Sequence, residues 1–401
     1  MKICHVTPHL PPDQAANALL PAELGRWFAA RGDGVRFLSL EPAQGRLASD
    51  ELPGPVRRLP RRERASGLAG ALRLDAWRHS KSIGAALDAI AADADLLHLH
   101  SNGLIIEVAA TWARHRSRPF VLTLYGTEIW HYRPRWPIDP FTRAVRTAAE
   151  VIFYSGRLLD RAKELGLGRP GLSVIYPAVG AAFRPQDEPT RRAWRAELGA
   201  REPLLVLNVK RLHELAGQKF LIDAFAKATR GRDDVRLVIC GTGPLRDDLE
   251  RQARDAGIAS RVTFTGLISN DRVARYAAAA DVFVLPSLLE ALPTVAVEAL
   301  ASGTPVVSAD HPGGLELHEL FGDDVVVVPR GNVDSLARAI GEALDRPQRA
   351  RASSIELVHQ RFGPAAVQSA YSAVYERAVK GRGQRAEGKG QRRGQRGKVK
   401  G

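Results

Sequence analysis

The sequence predicts an α/β protein built from two Rossmann-like domains, and three observations carry that expectation. Short β-branched runs alternate with longer helical patterns almost from end to end. The alternation occurs twice, on either side of a charged stretch rich in proline. The chain has 401 residues, 45% hydrophobic and 25% charged, which is length enough for two buried cores and the composition of a globular protein.

In the first half the strand candidates are Lys2 to Val6, Val35 to Leu40, Leu96 to His100, Phe120 to Leu124, Val151 to Tyr154 and Ser173 to Ile175. Between the first two, Leu20, Leu24, Trp27 and Phe28 recur at helical spacing and Gly32 ends the pattern, giving a βαβ unit. The second half offers Leu204 to Val209, Arg236 to Cys240, Val262 to Phe264, Val282 to Leu285, Pro305 to Ser308 and Val325 to Val328, with helices between them. Leu221, Ala224, Phe225 and Ala228 form one such helical stripe.

Pro177, Pro185 and Pro189 sit among charges between the halves and read as a linker. The expected division is 1–180, linker 181–202, 203–362, a helix 363–379 and a disordered basic tail 380–401. Val367, Tyr371, Val374, Tyr375 and Ala378 give that helix an apolar face suited to packing back across the junction. Two parallel sheets of about six strands bind ligands beyond their carboxyl ends, so the interdomain cleft is the expected site.

The formal charge of +14 raises nucleic acid as a partner, but its distribution argues against that. Residues 380–401 hold nine Lys or Arg and one Glu, so over half of the excess lies in a tail without apolar periodicity. The tail reads as a solvated extension, with charge-only tethering to anionic lipid or RNA as the alternative. The stretch Arg57 to Arg64 likewise reads as a solvated loop or as a face for an anionic lipid-linked acceptor. No run is apolar and long enough to span a membrane, and the N-terminus lacks a signal-peptide core. A cytoplasmic location is expected, extending to peripheral contact with the inner membrane face. Cys4 and Cys240 lie in apolar runs and are expected as buried thiols.

Absent motifs narrow the chemistry. No G-x-G-x-x-G follows the first strand, and there is no phosphate loop, no G-x-S-x-G and no H-E-x-x-H. His98 and His100 alternate on one strand and read as hydrogen-bonded histidines, with metal ligation as the alternative. Asp93 and Asp95 precede that strand, the wrong end for a site, and no metal is expected there.

The most informative segment is Val282 to Val307, VFVLPSLLEALPTVAVEALASGTPVV. A strand ends at Pro286, a loop carries Glu290, and a helix is expected from Pro293. Unpaired N–H groups around Leu292 to Val295 suit an anion such as a diphosphate. Glu290 and Glu298 could each accept two hydroxyl hydrogen bonds from a sugar, or serve as a cap and an exposed helix charge. Lys210, Arg211 and Lys219 follow the strand Leu204 to Val209; Arg211 and Lys219 suit a phosphate clamp, or these are solvated surface charges. Gly241 and Gly243 follow the next strand and would let backbone approach a ligand.

With these three segments in order, residues 200–345 resemble the retaining glycosyltransferases of family four. The matching residues are Arg211 and Lys219, then Gly241, Gly243 and Pro244, then Glu290 and Glu298, with Gly313 and Gly314 following the next strand. The resemblance implies a GT-B architecture, a UDP- or GDP-linked sugar donor in the C-terminal domain, a carbohydrate or lipid-linked acceptor, and catalysis without an obligatory metal or other cofactor. It implies that Arg211 and Lys219 bind the diphosphate, Glu290 the donor sugar and Glu298 the ribose. By the same resemblance Gly241, Gly243, Ala291, Leu292 and Thr294 are expected to complete the donor site. In the first half Glu23 to Gly32 is similar to the family's first helix. Ala15-Ala16 then Asn17 stand where many members have Gly-Gly, and Tyr125 where many have His. Asn17, Tyr125, Glu128 and His131 are the acceptor-side candidates. A nucleotide-sugar epimerase on the same scaffold and a non-catalytic binding protein are the rival readings.

Overall fold

The computed structural model describes the chain except for residues 14–15, 43–51, 62–73, 135–138, 201 and 398–401, and the side chains of 74–76 and 382–397. It contains two compact units, 1–175 with 368–401, and 176–367.

The first unit is a parallel sheet of seven strands: β1 (Lys2–Thr7), β2 (Gly34–Leu40), β3 (Val56–Leu59), β4 (Leu96–His100), β5 (Phe120–Leu124), β6 (Glu150–Phe153) and β7 (Leu172–Val174). Their spatial order is β3-β2-β1-β4-β5-β6-β7. Every residue of β4 and β5 is buried, because helices cover both faces of a parallel sheet and leave no solvent side to favour alternation. The second unit has six parallel strands, β8 (Leu204–Val209), β9 (Val235–Cys240), β10 (Val262–Gly266), β11 (Val282–Leu285), β12 (Val306–Ala309) and β13 (Val325–Val328), in the order β10-β9-β8-β11-β12-β13. Both cysteines are buried free thiols.

Three features differ from the sequence expectation. β3 arises inside the basic stretch Arg57 to Arg64, of which residues 62–64 lie outside the described residues. As an edge strand pairing only with β2 it buries Leu59 and leaves Val56 and Arg57 in solvent, so its composition carries no apolar run. The linker segment 181–202 contains a helix, Glu188–Glu197, started by the Asp187 carboxylate accepting the N–H of Thr190. That helix docks through charge: Arg195 Nη2 lies 2.8 and 2.9 Å from the two Asp281 oxygens and Arg191 Nη2 lies 3.0 Å from one of them. Both guanidinium groups also donate to the last carbonyls of the helix Asn270–Ala279.

The segment 380–401, expected to be disordered, continues the helix Pro364–Gly397 up to residue 397. Its docked first turns have already met the cost of nucleation, and Arg, Lys and Gln extend a helix readily. The same helix also packs back onto the first unit, as its apolar face leads one to expect. From residue 368 it belongs to the first unit, with Tyr371 and Tyr375 fully buried there. Tyr375 stacks on Phe28 with ring centroids 4.7 Å apart, and its hydroxyl hydrogen-bonds His98 Nδ1 at 2.6 Å.

His98 is one of three buried histidines on adjacent β1 and β4. His5 Nδ1 lies 3.0 Å from His100 Nε2, His98 Nε2 lies 2.7 Å from Thr123 Oγ1, and His100 Nδ1 lies 2.8 Å from the Tyr125 hydroxyl. Burial holds His5 down to about 3 and keeps His98 and His100 well below the usual histidine value, so all three are neutral. Unfolded, each titrates near 6.5. Below that pH the unfolded chain binds protons the folded chain refuses, so this stability is full above about pH 6.5 and is lost as pH falls toward the folded values. The melting temperature is expected to drop between about pH 7 and about pH 4.5, and His98→Gln should flatten that slope; an unchanged slope would show that the histidines do not control it.

Candidate functional site

Each sheet reverses its strand order beside its first strand, between β1 and β4 in one unit and between β8 and β11 in the other. Connections leave in opposite directions at such a point and open a crevice at the carboxyl ends. Lys210 and Arg211 are the first residues past β8, and Glu290 lies on the loop past β11, so all three stand at the second crevice. Lys210 Nζ pairs with Glu290 Oε1 at 2.5 Å, both side chains being largely buried. The Arg211 guanidinium is exposed and has no hydrogen-bond partner among the described residues. Lys219 is the second residue of the helix Gln218–Ala228 and is exposed, with Nζ 3.2 Å from Glu214 Oε2. Gln218 Nε2 donates to the Arg211 carbonyl at 3.2 Å, tying that helix start to the β8 loop.

The loops around the crevice are pressed together where glycine leaves room. A Cβ on Gly241, whose φ is +139°, would lie 2.1 Å from the Lys210 carbonyl oxygen. One on Gly243 would lie 2.1 Å from the Leu212 carbonyl oxygen, and one on Gly217 2.1 Å from that of Pro286. Gly241 and Gly243, expected to admit a ligand, therefore admit the chain's own backbone at 210–212. Gly313 donates its N–H to the Glu290 carbonyl at 3.1 Å, fixing the β11 loop from the other side.

The helix after that loop is Thr294–Ala301, with Pro293 at the N-cap in extended conformation. It starts one residue later than expected, because Pro293 supplies the carbonyl for Ala296 while its own ψ of 94° is not helical. Nothing among the described residues accepts from the N–H groups of Leu292, Thr294 and Val295. Leu292 is buried, and Ala291 and Thr294 are half-buried. Glu298, one turn into the helix, is half-buried without a side-chain partner among the described residues, and burial pushes its carboxyl up to about 7.

In the first unit the four acceptor-side candidates separate. Asn17 is half-buried near the start of the helix Ala16–Ala30, and its carbonyl accepts from Thr7 Oγ1 at 2.6 Å; Ala15 lies outside the described residues. The Tyr125 hydroxyl turns inward to His100 rather than toward a ligand. Glu128 is buried, its carboxylate accepting the Gly126 N–H at 2.8 Å, so it closes its own turn. His131 is exposed. His5, His98 and His100 have ring nitrogens within 4.8 Å of one another, a metal-like grouping. Five of the six nitrogens are taken up in hydrogen bonds, leaving only His5 Nε2 without a partner. The His98 and His100 rings are tilted against each other at 36° with centroids 3.9 Å apart.

The Glycosyl transferases group 1 family matches residues 190–356, and the Glycosyltransferase Family 4 domain matches residues 21–183. The chain is 30% identical over 296 residues to the 2-deoxystreptamine N-acetyl-D-glucosaminyltransferase of Streptomyces fradiae, covering 69% of each protein. It belongs to the group 1 (family 4) glycosyltransferases. It is also 30% identical over 254 residues to the GDP-mannose-dependent alpha-(1-6)-phosphatidylinositol monomannoside mannosyltransferase of Mycolicibacterium smegmatis, covering 60% of this chain and 65% of that one. Anabaena HepE in complex with UDP has the same GT-B fold, with a TM-score of 0.73 at 20% identity over 94% of this chain and 100% of that one. Sucrose-phosphate synthase of Thermosynechococcus elongatus gives 0.72 at 20% identity over 95% and 100%.

Three further residues of this glycosyltransferase stand at the crevice without any sequence signal. His213 is pulled below its usual value by burial and by Lys210 and Arg211, against the opposing pull of Glu290, which places it in the field of all three. His311 caps the helix Pro312–Phe321, its Nδ1 accepting the Gly314 N–H at 2.9 Å. Burial, with the Lys210 and Arg330 cations, lowers it to about 4 and keeps it neutral for that task. Arg330 donates to the Leu288 carbonyl and pairs with Asp310 at 2.9 Å. None falls in a recognisable pattern, since each reaches the crevice from a different loop. Gly241→Ala should destabilise the protein by about 2–4 kcal/mol in denaturant titration, through clash and positive φ. Gly84→Ala, in a helix with nothing within 4 Å of the added carbon, should instead stabilise by about 0.5–1 kcal/mol. Equal effects would refute the loop-contact account.

Proposed function

We propose that this glycosyltransferase takes a hexose from a UDP- or GDP-linked donor and passes it to an acceptor hydroxyl, with retention of configuration and without an obligatory metal ion. The observation that carries this reading is the gathering of Lys210, Arg211 and Glu290 at the β8/β11 crevice, next to the unpaired N–H groups that open the helix Thr294–Ala301. A relative that is named GDP-mannose-dependent and a fold neighbour that holds UDP and UDP-glucose support a nucleotide-sugar donor.

Cleaving the sugar from its diphosphate builds positive character at the anomeric carbon and negative charge on the leaving phosphate. Arg211, Lys219 and the helix N–H groups are donors set in place beforehand, so they stabilise that charge with little reorganisation. These cations provide what a metal ion would otherwise supply. Glu290 accepts hydroxyl hydrogen bonds from the donor sugar, and Glu298 those of the ribose. The acceptor hydroxyl attacks on the face from which the phosphate departs, and a phosphate oxygen takes its proton, which preserves configuration. The acceptor is a carbohydrate or a lipid-linked glycan. A lipid-linked acceptor would bring the enzyme to an anionic membrane surface, toward which Arg57 and the basic C-terminal sequence offer charge. No helix among the described residues is long and apolar enough to cross a membrane.

Purified protein screened against UDP- and GDP-sugars should be stabilised by its donor and should transfer the sugar in the presence of a chelator, with product configuration read by NMR. An epimerised donor without transfer would establish an isomerase instead. Glu290→Ala and Lys219→Ala should each lower kcat/KM by about 10²–10³-fold, with the melting temperature of the exposed Lys219→Ala variant near wild type, and near-normal turnover in either would overturn the assignment. Because the Glu298 carboxyl lies near 7, it is protonated at lower pH and can no longer accept from both ribose hydroxyls. Nucleotide affinity should therefore weaken as pH falls from about 8 to about 6, and Glu298→Gln should abolish that dependence. A pH-independent wild-type affinity would remove Glu298 from the ribose.

A further inference from the structure

Lys210 has no part in the roles derived so far, yet it is firmly placed at the crevice. Its N–H donates to the Cys240 carbonyl at 2.9 Å, and its own carbonyl is packed against Gly241 so closely that no side chain fits there. The Cα of residue 210 is thus fixed just past the end of β8, beside β11. From there the ammonium reaches Glu290 at 2.5 Å, with only 23% and 16% of the two side chains exposed. Arg211, its neighbour, is exposed and uncommitted. The cations therefore divide into one that awaits an anion and one that already holds a carboxylate.

An ammonium on Glu290 Oε1 takes up acceptor capacity that sugar hydroxyls would otherwise use, because it is the stronger donor. As its bond to the sugar breaks, the terminal phosphate of a nucleoside diphosphate comes to carry more negative charge than a carboxylate, and it would lie in the same crevice between Arg211 and the helix N–H groups. Lysine is suited to an exchange of partners, being a point charge on four rotatable bonds rather than a planar fork.

We propose that Lys210 is a third cation for the terminal phosphate, and that it exchanges Glu290 for that phosphate when the diphosphate is bound. The ligand class is a nucleoside diphosphate, and the consequence is coupling: phosphate capture releases the Glu290 carboxylate to accept hydroxyls of the sugar. In the resting protein the ion pair keeps Glu290 oriented and its charge compensated. The leaving group gains negative charge as the bond breaks, so the Lys210 contact strengthens along the reaction. This inference rests on the nucleotide-sugar reading above.

The test measures the affinities of the full-length protein for UMP, UDP, GMP and GDP by calorimetry, in wild type, Lys210→Met, Lys210→Arg and Glu290→Gln. For the nucleoside that wild type prefers, the diphosphate-over-monophosphate ratio should fall about tenfold in Lys210→Met, with monophosphate affinity within about twofold of wild type. Lys210→Arg should restore most of the ratio, since the charge returns. Glu290→Gln, which frees the ammonium from its competitor, should bind the diphosphate more tightly at unchanged monophosphate affinity. An unaltered ratio in Lys210→Met, or equal weakening toward both nucleotides, would overturn the proposal and leave Lys210 a structural partner of Glu290. If Lys210→Met does not fold, the Glu290→Gln arm decides, and no gain in diphosphate affinity refutes the exchange. Failure of wild type to bind any of the four nucleotides would refute the nucleotide-sugar reading itself, an outcome distinct from the others.

Discussion

The crevice between β8 and β11 depends on a steric condition: three loops must approach one another more closely than any side chain allows. Gly217, Gly241 and Gly243 meet the backbones of Pro286, Lys210 and Leu212 at distances where a Cβ cannot fit. Those contacts fix the first residues after β8 and bring the β11 loop against them. Charge placement follows from that geometry. Lys210 reaches Glu290 because both backbones are immobilised by neighbours, while Arg211, one residue on, is turned to solvent. The glycines serve the site indirectly, by letting the polypeptide pack on itself at the carboxyl edge of the sheet.

The same topological feature is used differently in the two units. In the second, the switch point gathers cations, a carboxylate and N–H groups without an acceptor among the described residues. In the first, the switch point between β1 and β4 is filled by neutral side chains that satisfy one another: His5, His98 and His100, with Thr123, Tyr125 and Tyr375. Burial keeps those histidines uncharged, and a neutral imidazole can both donate and accept, which lets a chain of hydrogen bonds run through a dry interior. Tyr375 joins that chain from a helix nearly three hundred residues away in sequence. One crevice is thereby poised for an anion, while the other holds the closing helix of its unit.

The helix Glu188–Glu197 and the helix Pro364–Gly397 are fixed by the same kind of long-range polar anchor. Arg191 and Arg195 converge on Asp281 and on helix-end carbonyls, where buried charge is tolerated because each lone pair finds a donor. Proline and charge in the segment 181–202 describe only its surface composition, which is why a docked helix can look like a linker.

What the sequence by itself determined was local and periodic. The strands of the second unit, and β4 and β5 of the first, follow from apolar runs whose bounds are set by the need to bury both faces of a parallel sheet. Arg211, Lys219, Glu290 and Glu298 were legible because their order and spacing resemble a family pattern. Only the tertiary structure could decide the rest. β3 is an edge strand whose arginines hide it, the Tyr125 phenol points to His100, Glu128 closes its own turn, and Lys210 is engaged with Glu290. Each of these depends on which partner lies across space. That is set by sheet order and loop contact, and one-dimensional spacing does not encode it.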